Sequence, residues 1–95
     1  MDFLTKADLT GRLRGLAIML DDRLTIEQTR AAEELIDDDQ FGPALEALAT
    51  ALREQRANLP ADLRTDFDRL SAQLGNERAV AELLADVPTE ADEQP

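Results

Sequence analysis

The run Asp37-Asp38-Asp39-Gln40-Phe41-Gly42 places several oxygen ligands close together and invites a test for a calcium loop. Such a loop needs acidic or amide ligands at alternate positions, a glycine at the sixth and a bidentate Glu at the twelfth. Counting from Asp37 puts Asp37, Asp39 and Gly42 in register. Phe41 then falls on a ligand position and Leu48 on the twelfth, so the ligand that closes the shell is missing. Paired carboxylates can do acid–base work only when an apolar pocket raises the pKa of one of them. Here the acids fall on solvent-facing positions beside Arg and other acids. The chain has no His, Cys or Tyr, which removes the commonest general base, thiolate ligands and the phenol acid. Ser71 is the only Ser and has no His to activate it. Lys6 is the only Lys, and the four Gly at 11, 15, 42 and 75 form no phosphate loop. No catalytic residue, metal site or cofactor is expected, and the protein is expected to work by binding.

What remains is acidic density. Glu33, Glu34, Asp37, Asp38 and Asp39 lie within seven residues, and Glu46 follows one turn into the next helix. Asp37, Asp38 and Asp39 crowd a helix C-terminus, where negative charge opposes the dipole at a cost of a few tenths of a kcal/mol each. These six carboxylates are the expected partner-binding surface, each an acceptor for Arg or Lys on a basic protein. The net charge of -11 makes free nucleic acid and anionic membrane poor partners. Phe41 is expected in the core rather than as an exposed anchor.

The elements that must position these residues are helical. Leu and Ala make up much of the apolar share and, like Arg, Glu and Gln, lose little freedom in a helix, while Val and Ile are scarce and aromatics reach only 3%. Five segments are delimited by punctuation. The first spans about Lys6 to Leu20, with the apolar row Leu9, Leu13, Leu16, Ala17 and Leu20 at helical spacing. Gly11 and Gly15 weaken it. The second opens on a capping box, Thr25 with Gln28, and runs from Ile26 to about Asp38, burying Thr29, Ala32, Leu35 and Ile36. The third starts at Pro43, with Phe41 as a staple, and runs to about Arg56 along Leu45, Leu48, Ala49 and Leu52. The fourth spans Pro60 to Leu74 through Leu63, Phe67 and Leu70, and Gly75 ends it in the left-handed conformation. Asn76 caps the fifth, Glu77 to about Ala85, with Val80, Leu83 and Leu84 inward.

Short connections predict an all-α fold, a compact bundle of four to five short antiparallel helices, in one domain over residues 1–85. Residues 86–95 carry two prolines and four acids without a basic residue, and are expected to form a disordered acidic tail. No run approaches the roughly 20 apolar residues that span a bilayer, and without an opening basic stretch followed by an apolar run no secretory signal is expected. A cytoplasmic location is expected.

The stretch from Ala32 to Leu48 resembles the centre of the MafI-type immunity proteins. The matching marks are Leu35-Ile36-Asp37, Gly42, Ala44-Leu45-Glu46 and Leu48. Leu59-Pro60 and Leu74-Gly75 fit the bounds of a further helix of that family, and the similarity covers roughly residues 9 to 84. The sequence departs at Ala51-Leu52-Arg53-Glu54, where many members carry aromatic or Tyr-acid residues. The resemblance implies a cytoplasmic helical bundle that binds and neutralises a cognate bacterial toxin domain, often a nuclease. An acidic inhibitor suits a nuclease because its basic phosphate groove accepts carboxylates. A protein of this kind is expected to be a monomer when free. The alternative is an all-helical adaptor or regulatory subunit that binds through an apolar helix face and tends to self-associate.

Overall fold

The computed structural model describes residues 2–90. Five helices follow one another: α1 (Phe3–Met19), α2 (Ile26–Asp37), α3 (Phe41–Glu54), α4 (Ala61–Leu74) and α5 (Glu77–Leu84). The fold is the all-α bundle expected, with a Cα radius of gyration of 12.7 Å. Helix α3 is its centre and packs against all four of the others. Its sequence explains the position. Phe41, Ala44, Leu45, Leu48, Ala49, Ala51 and Leu52 are all buried, a broad apolar face that can meet several neighbours.

The rows read from spacing form the core. Leu9, Leu13, Leu16, Ala17 and Leu20 are buried on α1, Ala32 and Ile36 on α2, and Leu63, Phe67 and Leu70 on α4. Val80 and Leu84 close it from α5. Leu35, Leu74 and Leu83 pack at the margin, partly buried. Burying each large apolar side chain contributes roughly 1.5–3 kcal/mol before chain entropy is charged against it.

Several boundaries move, each for a local reason. Helix α1 starts at Phe3 because Asp2 caps it, its Oδ1 accepting the Thr5 amide at 2.8 Å. Helix α3 starts at Phe41 and not at Pro43. Pro43 is tolerated because first-turn amides have no intrahelical acceptor. Three helices end in a left-handed residue, and only one of these is Gly75 (φ 80°). The others are Asp39 (φ 59°) and Arg56 (φ 53°). At Asp39 the pair Gln40 N–H to Leu35 O (2.8 Å) and Asp39 N–H to Ile36 O (3.0 Å) forms a Schellman ending. Arg56 and Ala57 repeat it on Arg53 and Leu52.

The expectation of disorder from Asp86 onward is corrected for residues 86–90. Val87 is buried at 3% exposure, and Leu59 N–H donates to Pro88 O at 2.9 Å. The short strands β1 (Leu59–Pro60) and β2 (Thr89–Glu90) pair in parallel. Two arginines from elsewhere in the chain hold the segment. Arg64 donates to Leu84 O, Val87 O and Thr89 Oγ1 at 3.0, 3.1 and 3.0 Å. Arg23 bonds Asn58 O at 3.1 Å and Glu90 Oε1 at 3.2 Å. The segment has no cation of its own, so the signal for its order lies in other elements. The rest of the expected tail, residues 91–95, lies outside the described residues.

Candidate functional site

The acidic run is positioned by the end of α2. Glu33 and Glu34 stand exposed on the helix, Asp37 is its last residue, Asp38 its C-cap, and Asp39 the left-handed residue that stops it. All five are solvent-exposed. Glu34 and Asp38 are four apart, so like charges share one side of the helix, adding a few tenths of a kcal/mol to the dipole cost. A left-handed Asp costs roughly 1 kcal/mol more than Gly at the same place.

Ion pairs divide the run into two classes. Asp37 pairs with Arg14 of α1, and Asp39 Oδ2 lies 2.6 Å from Lys6 Nζ, also on α1. All four partners are about half exposed, so each pair is screened and contributes little to stability. Their effect is on charge, since two of the three consecutive aspartates are neutralised within the chain. No ion pair among the described residues reaches Glu33, Glu34 or Asp38. These three present uncompensated negative charge outward from α2.

Glu46 does not join them. It is partly buried on α3, and its Oε2 accepts from Asn76 Nδ2 at 2.9 Å. The same amide donates to Gly42 O at 3.2 Å. Asn76 therefore ties the start of α3 to the start of α5, and it makes no side-chain cap to α5. The candidate surface contracts from six carboxylates to three fully available ones, flanked by Asp37 and Asp39. Sequence reasoning missed Lys6 and Arg14. Their signal is the row Lys6, Thr10, Arg14 at four-residue spacing, on the flank of α1 beside its buried row.

The other chemistry-bearing groups are occupied or isolated. Ser71 is 3% exposed, and its Oγ donates to Asp68 O at 3.0 Å. Among the described residues no three His, Cys, Asp or Glu side chains are placed to hold a metal ion. Among the described residues the carboxyl whose pKa is displaced is that of Asp2. Its bonds to Thr5, backbone first, hold it below the ordinary 3.8. A groove of about 320 Å³ lies between α1 and α4, lined by Gly11, Gly15, Leu16, Met19, Leu63 and Leu70 with Arg12, Asp66 and Arg69 on its polar side. No described helix is long and apolar enough to cross a membrane. Comparison of the chain with known protein families, with curated proteins and with solved structures finds no match for any of the three.

Proposed function

We propose that the protein is an immunity protein that binds and neutralises a cognate bacterial toxin, its acidic face occluding the basic groove of a nuclease-type domain. One observation carries this reading. Glu33, Glu34 and Asp38 hold uncompensated charge on one exposed helix, at a place where charge lowers the helix's own stability. Carboxylates so placed steer a basic partner and set its register. The MafI-type resemblance between Ala32 and Leu48 points the same way. On this reading the protein acts in the cytoplasm by binding and not by turnover, and needs no cofactor.

The test needs a basic toxin domain, to be sought in the reading frame next to that of this chain. Co-expression with the wild-type chain is expected to restore growth. The triple substitution Glu33→Lys, Glu34→Lys, Asp38→Lys is expected to abolish rescue and to weaken binding by about 100-fold or more, since close charge pairs contribute several kcal/mol together. Asp37→Lys with Asp39→Lys is expected to do less, because those carboxylates already have partners in the chain. Unchanged affinity in the triple variant sinks the reading.

A second reading has its own observation. The outward side of α1 leaves Phe3, Leu4, Ile18 and Met19 exposed, which suits an adaptor or regulatory subunit docking through an apolar helix face. Loss of partner binding on Ile18→Glu, with the triple variant unaffected, favours it.

A further inference from the structure

Among the described residues, four of the five exposed large apolar side chains belong to α1, the fifth being Ile26 (72%) at the start of α2. The four are Phe3 (79%), Leu4 (78%), Ile18 (63%) and Met19 (57%). At about 100° per residue, Leu4, Gly11 and Ile18 fall within about 40° of one another. They stand opposite the buried row Leu9, Leu13, Leu16 and Leu20. Ala7 and Gly15 flank them. Helix α1 is thus apolar on both sides, the pattern of a helix covered twice. Its inner side is covered by the bundle. On the outer side, a Cβ added at Gly11 or Gly15 meets nothing within 4 Å, so packing inside the chain does not call for glycine there.

Charge and symmetry select the occupant. Over Phe3–Met19, Lys6, Arg12 and Arg14 stand against Asp8, a net charge of +2 in a chain of -11. Lys6 and Arg14 are already paired with Asp39 and Asp37, and Arg12 with Asp8, so two copies face one another across α1 with these cations compensated. Across α2, Glu33, Glu34 and Asp38 repel their counterparts. The outer row is also symmetric about Gly11. Leu4 and Ile18 lie seven residues to either side, and Ala7 and Gly15 lie four. An antiparallel two-fold at Gly11 sets Leu4 of one copy at the height of Ile18 of the other, Ala7 at Gly15, and Gly11 at Gly11. On the flank, Asp8 of one copy comes within about 3 Å in height of Arg12 of the other. Within one chain Asp8 and Arg12 already pair at 3.1 Å, and across the axis each Arg12 lies as close in height to the other Arg12 as to the other Asp8. The two pairs therefore meet as a four-charge network of two attractive contacts and one like-charge contact.

We infer that α1 is a homodimerisation face, on which a second copy docks antiparallel through Leu4, Gly11 and Ile18. One 17-residue helix per copy places the contact at the small end of specific interfaces, so the dimer exchanges with monomer. The expected free monomer becomes the dilute limit of that equilibrium. The inference rests on α1 and not on the toxin reading, and its test needs only the purified chain, so the two fail separately.

Sedimentation of the full chain, from about micromolar to about millimolar, is expected to show a mass rising from 10.5 kDa toward twice that value. Ile18→Glu is expected to hold it at the monomer mass with unchanged far-UV circular dichroism. The chain has no Cys, so Gly11→Cys introduces a single thiol at the axis. Oxidation is expected to link two Gly11→Cys copies. Leu4→Cys is expected to link to Ile18→Cys but not to itself. A monomer at every concentration, or a dimer that survives Ile18→Glu, overturns the inference. Self-linking of Leu4→Cys as readily as Gly11→Cys overturns the antiparallel arrangement.

Discussion

Helices α1 and α2 meet along one flank, and each turns a Leu- or Ile-bearing row into the same core. Their outward faces differ in kind. Helix α1 is net +2 and bears Leu4, Ile18 and two glycines outside. Helix α2 with Asp38 and Asp39 sets Glu27, Glu33, Glu34, Asp37, Asp38 and Asp39 against Arg30, a net charge of -5. The core constrains only the inner rows, so the outer faces are where two helices with one structural job can hold different chemistry. The seam between them is ionic, made by Lys6 with Asp39 and Arg14 with Asp37.

The largest effect expected from this contrast is within α1 itself. Leu13→Ala removes a fully buried side chain and is expected to cost about 2–5 kcal/mol in urea unfolding. Ile18→Ala, five residues on but outside, is expected to stay within about 0.5 kcal/mol at monomeric concentrations. Equal losses at the two sites would erase the distinction between a core side and an interaction side.

The same distinction explains what was legible in the sequence. Buried rows at spacings of three and four are periodic, so Leu9, Leu13 and Leu16 or Leu63, Phe67 and Leu70 could be read without coordinates. The capping box Thr25–Gln28 and the left-handed Gly75 are local chemistry and were equally legible. Interactions between distant segments were not. Nothing near Asp86 signals that Arg23 and Arg64, far back in the chain, hold residues 86–90 in place. The acidic surface was legible as composition, but its division was not. Lys6 and Arg14 reach it from 33 and 23 residues away, and Asn76 takes Glu46 from 30. The outer row of α1 was hidden by its own inner row, since a helix apolar on both sides has no single stripe to follow.

A smaller effect compares exposed backbone on the two helices. Gly15→Ala and Gly11→Ala are each expected to stabilise the monomer by up to about 1 kcal/mol, because the added methyl meets open space and the unfolded chain loses freedom. In a domain of this size that raises Tm by about 4–8 °C per kcal/mol. Ala31→Gly, on the exposed side of α2, is expected to cost a similar amount. If Gly15→Ala instead destabilises the dilute monomer, α1's glycines serve its own packing, and the outward face loses its claim to a partner.

The smallest effect separates the two N-termini by pH. Helix α2 is capped by the Thr25 hydroxyl, which accepts the Gln28 amide at 3.1 Å and carries no charge. Helix α1 is capped by the Asp2 carboxylate, held below its ordinary 3.8 by the Thr5 amide. A carboxyl depressed in the folded state contributes stability that is fully present above 3.8. That contribution is lost as pH falls through the lower folded value. Acid should therefore fray the first turn of α1 while the first turn of α2 holds. The readout is the chemical shift of the Thr5 amide against that of Gln28 along an acid titration. Thr5 is expected to move with a midpoint below 3.8 and Gln28 to stay level through it. Asp2→Asn keeps an acceptor for the Thr5 amide but cannot titrate, so it should flatten the Thr5 curve without shortening the helix at neutral pH. A Thr5 transition that persists in Asp2→Asn assigns the acid response to a group outside the cap.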